Sequence, residues 1–316
     1  MIGILSYLIF FAIVALIFAI ATLGLNLEWG QAGLFNAGVV GFYAIGAYAF
    51  AILTAAPKPG LLGNFALPWI VGIIGAMLAT AAISLVIGVA TVGLRGDYLA
   101  IATFGIAVTI QLITLNFEAL TGGSLGIASL ARPLNGVFET PLGYNAAYLA
   151  IVIAITAGIY AALERIVRSP WGRVLKAIRE DEIAAIALGK TPSHFRLQTF
   201  VIGSTVIGLA GALYVSFIGF VSPFDFLPIL TFQIWTMLIV GGSGNNRGAI
   251  LGAFLVWGLW NAVGALTSKL LPVELQTQGG AMQSLLVGLT LVLVLIYRPR
   301  GLIGERAAVS RHAEGA

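Results

Sequence analysis

The stretch Arg168–Lys190 reads RSPWGRVLKAIREDEIAAIALGK and carries eight of the chain's 28 charged residues in 23 positions. Elsewhere the chain is overwhelmingly apolar: 59% of its 316 residues are hydrophobic and only 9% are charged, with a mean hydropathy of +1.03. Soluble domains carry roughly a quarter charged residues. Wound as one helix, Trp171, Val174, Leu175, Ile178, Ala185 and Ile186 share a face, with Arg173, Lys176 and Glu180 opposite. Glu182 then falls in the middle of the apolar face, which one continuous helix does not tolerate well. A break resolves this: Asp181 caps a second short helix, and Gly189 followed by Pro192 ends it. The expectation is two short helices meeting at an acidic elbow, Glu180-Asp181-Glu182.

Around this island the sequence is a series of apolar runs near 4–24, 33–56, 66–93, 98–117, 146–163, 197–220, 227–241, 248–267 and 281–297. About 20 apolar residues let a helix cross a bilayer, so the fold class is all-α, a polytopic transmembrane bundle of about 8–10 spans. The 33–56 and 227–241 runs adjoin glycine-rich segments and are expected to be broken or re-entrant. The whole chain, 1–316, reads as one transmembrane domain, with a charged loop at 164–196 and a tail at 298–316. The first run is taken as a retained span and not a signal peptide, because no Lys or Arg precedes Lys58.

Lys and Arg set the orientation. With nine alternating spans and the tail inside, Arg95, Arg165, Arg168, Arg173, Lys176, Arg179, Lys190, Arg196, Arg247, Arg298, Arg300, Arg306 and Arg311 are cytoplasmic. Lys58, Arg132 and Lys269 are then outside, and so is the N-terminus. The basic residues gather at membrane boundaries, not on a soluble face, which excludes nucleic acid as a partner. The absence of cysteine and the presence of only two histidines, His194 and His312, exclude thiolate and multi-histidine metal sites within the chain.

Two glycine-rich patches, WGQAGLFNAGVVGFYAIGAY (29–48) and GGSGNNRGAILGAFLVWG (241–258), resemble one another and hint at two structural halves. Gly33, Ala37 and Gly41 lie four apart, as do Gly244, Gly248 and Gly252, so each set is expected to form a flat ridge for close helix packing. The charged stretch itself has three readings: a topology anchor, an interfacial helix on anionic lipid, or a docking element for a soluble partner. The acidic triplet argues against lipid attraction.

Motifs along the chain carry a resemblance. SPWGRVLKAIREDEIAAIALGK looks like the cytoplasmic coupling segment of ABC importer permeases, with Glu182, Ala184, Ala185 and Gly189 standing as a variant of their Glu-Ala-Ala…Gly loop. LNLEWGQAGLFNAGVVGFYAIGAY, LRGDYLAIATFGIAV, LTGGSLGI, GLAGALYVSFIGFVSPFDF, TFQIWTMLIVGGSGNNRGAILGAF and YRPRGLIG follow in the order of the branched-chain (hydrophobic) amino-acid permease family. The chain is similar to that family nearly end to end, and to its M-type more than its H-type members. The resemblance implies an ABC importer permease fold in a bacterial or archaeal cytoplasmic membrane. It also implies an H-type permease partner, two cytoplasmic ATPases that hold ATP and Mg, and an external solute-binding protein. This chain would then need no cofactor of its own. ATPase coupling is expected to rest on Trp171, Arg173, Ile178, Arg179, Glu180, Asp181, Glu182, Ala184, Ala185 and Gly189. Gly189-Lys190-Thr191 is no phosphate-binding loop, because Ala184 stands where that loop needs its first glycine.

For the solute pathway, the large amides Gln111 and Gln233 stand out in apolar spans, with Asn36 and Thr103 as further polar positions. Glu28 and Glu118 fall near span ends. No carboxylate is expected at mid-membrane, which favours ATP-driven transport over ion coupling. The competing function is a stand-alone carrier or channel for small neutral solutes such as urea or amides. A membrane enzyme finds no nucleophile–base pairing to support it.

Overall fold

The computed structural model describes residues 2–94, 96–134, 136–138, 140–270 and 279–305. Arg95, Arg306 and Arg311 of the charge tally, and the tail beyond Glu305, lie outside the described residues. The helices in chain order are α1 (Ile2–Leu25), α2 (Val39–Thr54), α3 (Trp69–Thr91), α4 (Asp97–Asn116), α5 (Glu118–Thr121) and α6 (Pro141–Arg168). They are followed by α7 (Pro170–Glu180), α8 (Glu182–Ala187), α9 (Pro192–Ile218), α10 (Pro228–Gly241), α11 (Asn246–Leu270) and α12 (Gly279–Tyr297). Two dipeptide strands, β1 (Ile127–Ala128) and β2 (Phe220–Val221), pair antiparallel with Ile127 opposite Val221.

Seven of the described helices are long and apolar enough to cross a membrane, and α2 and α10 are shorter apolar helices. At 16 and 14 residues these two reach only about 24 and 21 Å, short of a ~30 Å hydrocarbon core. They are the two segments the sequence marked as broken. Before α2 the chain widens into a π turn (Asn26–Gln31) and then runs without helix through residues 33–38. Before α10 a single 3-10 turn, Pro223–Phe226, leads the chain in from β2.

α9 is the central post, packed against α1, α2 and α3. Its most hydrophobic stretch is 72% buried and that of α1 is 67%, against 6% for α12. The remaining spans form a rim whose outward Ile, Leu and Val side chains suit lipid. Glycines set the central spacing: a Cβ at Gly46 would overlap the Gly208 carbonyl, and one at Gly211 would overlap that of Tyr43. On the α2 side these contacts fall within the first glycine patch, whereas Gly208 and Gly211 of α9 belong to neither.

The patches themselves fold differently from each other. Gly33 is no ridge residue: it lies in the break with φ of +68°, a left-handed conformation that suits glycine. Gly41, one turn into α2, does pack on Ala107 of α4. Gly244 likewise sits in a turn with φ of +82°, whereas Gly248 and Gly252 form a true ridge on α11 against Gly241 and the Met237 carbonyl of α10. Four-residue spacing indicates a ridge only where the helix is continuous, and both first glycines stand where it is interrupted.

Candidate functional site: the acidic elbow and the broken helices

At one end of the bundle the charged stretch forms the two helices expected of it. Ser169 and Pro170 open α7. Asp181 leaves helical geometry and accepts a bond from Ala184 N at 2.9 Å, which caps α8. Gly189 ends the unit with φ of +74°, and Pro192 starts α9.

The apolar face divides differently from the single docking face expected. Gly172, Leu175 and Ile178 of α7 are buried within the chain, and Trp171 is half-buried, donating from Nε1 to Gln198 at 2.7 Å. The exposed apolar side chains belong to α8 and its exit: Ile183 is 81% exposed, Ile186 52% and Leu188 79%. Ala184 is exposed beside them, and Ala185 is turned inward. Glu182 does not stand free beside this face, because Arg196 of α9 grips it through two bonds of 3.1 and 3.2 Å. Glu180 and Asp181 are exposed, and so is Arg173.

Arg179 also points inward. Its guanidinium donates to the Gly30 carbonyl of the π turn and, at 2.8 Å, to Glu305 of the tail, while its stem lies over Gly33. Lys176 reaches the same Glu305 carboxylate at 2.6 Å. Burial alone would raise the Glu305 carboxyl, but hydrogen bonds from Lys176 and Arg179, and their charges, hold it below its ordinary value. The tail continues the contact: Leu302 N and Ile303 N bond the Val240 and Gly241 carbonyls at 3.0 and 2.9 Å, satisfying acceptors that the end of α10 leaves open. Asn26 and Gln31 close the hub. Asn26 bonds Gly244 N at 2.8 Å and Asn246 at 2.9 Å, and Gln31 donates to the Gly244 carbonyl at 2.8 Å. Glu305 was absent from the sequence expectations, since a lone acid in a tail has no periodicity to mark it.

Above the hub lies the break. Glu28 lies near the end of the span Gly3–Gln31, as expected, and is fully buried there. It accepts from Asn36 Nδ2 at 2.7 Å and Ser204 Oγ at 3.0 Å, tying the break to α9. Thr103 accepts from Ala37 N at 3.0 Å, and Trp235 Nε1 donates to the Asn36 carbonyl at 2.9 Å. Asn36 and Thr103 therefore hold non-helical backbone in place. Gln111 is half-buried on α4. Gln233 is buried on α10, and its Nε2 lacks a hydrogen-bond partner. Thr109, Thr114, Thr205 and Thr236 return their hydroxyls to carbonyls of their own helices.

Beside the break a cavity of about 440 Å³ opens between α10 and α12, bounded by Trp29, Phe35 and Trp235. Their ring centroids lie 4.7 to 5.4 Å apart. A search for polar residues in apolar spans passes over such a site, whose signal is two aromatics before α2 and a third within α10.

The sequence model of the family described as branched-chain amino acid transport system / permease component matches residues 7–295. The chain belongs to this permease family. The permease is 32% identical over 314 residues to the high-affinity branched-chain amino acid transport system permease protein LivM of Escherichia coli (strain K12), covering 92% of this chain and 69% of that one. A probable LivM of Methanocaldococcus jannaschii is 33% identical over 169 residues, 51% of the permease and 47% of the relative. LivH of Salmonella typhi is 28% identical over 158 residues, 49% and 47% of the two chains. The M-type match over 92% of the chain, against an H-type match over about half of it, makes the permease an M-type member, a transport subunit spanning the membrane many times. No solved structure matches it.

Proposed function

We propose that this chain is the M-type translocating subunit of an ATP-driven importer for branched-chain amino acids. It pairs with an H-type permease, receives solute from an external binding protein, and is driven by two cytoplasmic ATPases that hold the ATP and Mg. The relatives' names support the substrate class and the permease pair. The N-terminus lies outside and the elbow inside: Arg165, Arg168, Arg173, Lys176, Arg179, Lys190, Arg196, Arg247, Arg298 and Arg300 gather at the elbow's end of the bundle, against Lys58, Arg132 and Lys269 at the other.

The observation that carries the reading is an apolar tip wired to two broken helices. Ile183, Ile186 and Leu188 offer the ATPase a grip. Glu182–Arg196 braces that grip on α9, and Arg179 with Lys176 connects α7 to the π turn and, through Glu305, to the end of α10. Movement of the elbow is thereby delivered to the backbone beside the aromatic cavity. Irregular backbone at membrane depth is tolerated where it is buried or lines a cavity, and transporters bind solute at such discontinuous helices. The cavity falls in the ~300–1,000 Å³ range of small-molecule sites, and its aromatic walls suit an aliphatic side chain. Gln233, with an unpaired amide in the same helix, and Gln111 are retained as polar positions of the pathway.

The test is the double variant Ile183→Asp/Leu188→Asp, coexpressed with the ATPases and binding protein. Loss of ATPase copurification and of leucine uptake, with thermal unfolding unchanged, is the expected result. Full uptake by that variant would overturn the docking tip.

A further inference from the structure

We infer that this permease holds one anionic phospholipid in a groove between α6 and α11, with the lipid phosphate at Arg173 and Arg247. Both helices pack along α1 and barely touch one another, so a furrow remains between them. Leu16 of α1 floors it, and Ile153, Thr156 and Ala157 of α6 face Ile250 of α11 across about 590 Å³. Of the two hydroxyls in the furrow, that of Thr156 is turned back to the Val152 carbonyl at 2.7 Å and that of Tyr160 accepts from Arg247 at the furrow's end, so the lining between is effectively apolar. This is a surface for an acyl chain.

The furrow ends at Arg247, whose Nε bonds Tyr160 Oη at 3.3 Å. Arg247 also lines a second cavity of about 590 Å³, open toward the elbow and carrying Arg168, Arg173 and Lys176. Two acids share this second cavity, and both are engaged. Glu164 is taken by Arg168 at 2.6 Å and by Asn246 at 2.9 Å, and Glu305 is taken by Lys176 and Arg179. Among the described residues neither Arg173 nor Arg247 makes a direct ion pair with a carboxylate, although Glu164 lies close enough to act on the Arg247 charge. Two guanidiniums facing a cavity select phosphate, and basic pockets between spans at the cytoplasmic boundary hold anionic headgroups. A free anion would use the basic cavity alone. A phospholipid uses both the basic cavity and the apolar furrow that shares Arg247 with it. Because the basic cavity touches α7, an occupied site also braces the elbow against α6 and α11.

The experiment takes the purified permease in neutral detergent, with phosphatidylglycerol, phosphatidylcholine and inorganic phosphate as separate probes, read by native mass spectrometry and thermal unfolding. One phosphatidylglycerol is expected to be retained and to raise Tm, with phosphatidylcholine bound far less. At about 1 kcal/mol of headgroup attraction per basic residue, Arg247→Gln should weaken binding about fivefold and Arg173→Gln/Arg247→Gln about 30-fold. Ala157→Trp fills the furrow while leaving the charges, and should abolish retention; Ala157→Leu, at the same lipid-facing position, should show a partial loss. Equal binding of phosphatidylcholine would overturn the inference. So would stabilisation by inorganic phosphate that matches phosphatidylglycerol and survives Ala157→Trp, since the ligand would then be a free anion.

Discussion

At the scale of single residues, Glu182 shows how a charge can be spent inside the chain. Its carboxylate and the Arg196 guanidinium are 20% and 17% exposed, between the buried and surface regimes of ion pairs. Glu182→Ala and Arg196→Ala are each expected to cost about 1–2 kcal/mol of stability, with a positive coupling in the double-mutant cycle, while Glu180→Ala falls within about 0.5 kcal/mol of the parent. Denaturant unfolding of the parent, the three single variants and Glu182→Ala/Arg196→Ala checks this. A silent Glu182→Ala would overturn the pairing with Arg196 as a stabilising contact. Glu305 adds a pH dependence. Its carboxyl is held below the ordinary 4.5, so the tail contact contributes fully above that value and fades as pH falls through the lower folded value. The Tm difference between the parent and Glu305→Gln should therefore be constant from neutral pH down to about 5 and shrink below 4.5. A difference that grows on acidification would contradict the sign.

At the scale of elements, the α10–α11 crossing depends on the absence of side chains. Gly252→Leu must displace the Met237 carbonyl and should cost about 1–3 kcal/mol or prevent assembly. Gly105→Leu on the open face of α4, where nothing lies within 4 Å, is the matched control and should be neutral. The elbow illustrates what helical periodicity can and cannot resolve. The cap at Asp181, the stop at Gly189 and the two-helix form are local, and local chemistry is readable from neighbours in sequence. Which apolar side chains of α7 and α8 face outward is not local. Ile178 and Ile186 share a face on a wheel, but the kink at Asp181 turns α7 into the bundle and leaves α8 outside it.

At the scale of the whole molecule, topology is the sharpest prediction. The chain has no cysteine of its own, so single introduced cysteines report cleanly. Lys190→Cys is preferable to a label at Lys176, because Lys190 is exposed and Lys176 is bound to Glu305. Lys190→Cys should react only from the cytoplasmic side and Lys58→Cys only from outside. Reaction of both from one side would refute the alternating arrangement.

The sequence by itself determined the membrane setting, the helical class, the nine apolar segments, the interruption of two of them and the two-helix elbow. Each follows from composition, run length or capping, which act between residues close in the chain. The family motifs were also legible, because they are contiguous words. Only the tertiary structure decided that Glu28 is buried, that Asn36 and Thr103 pin a break, that Arg179 and Lys176 turn inward to Glu305, and that three aromatics enclose a cavity. Those facts depend on segments separated by tens to hundreds of residues, brought together by glycine-mediated contacts whose partners no single helix announces. A polar or charged side chain in an apolar chain must find a partner, and the partner's identity is a property of packing.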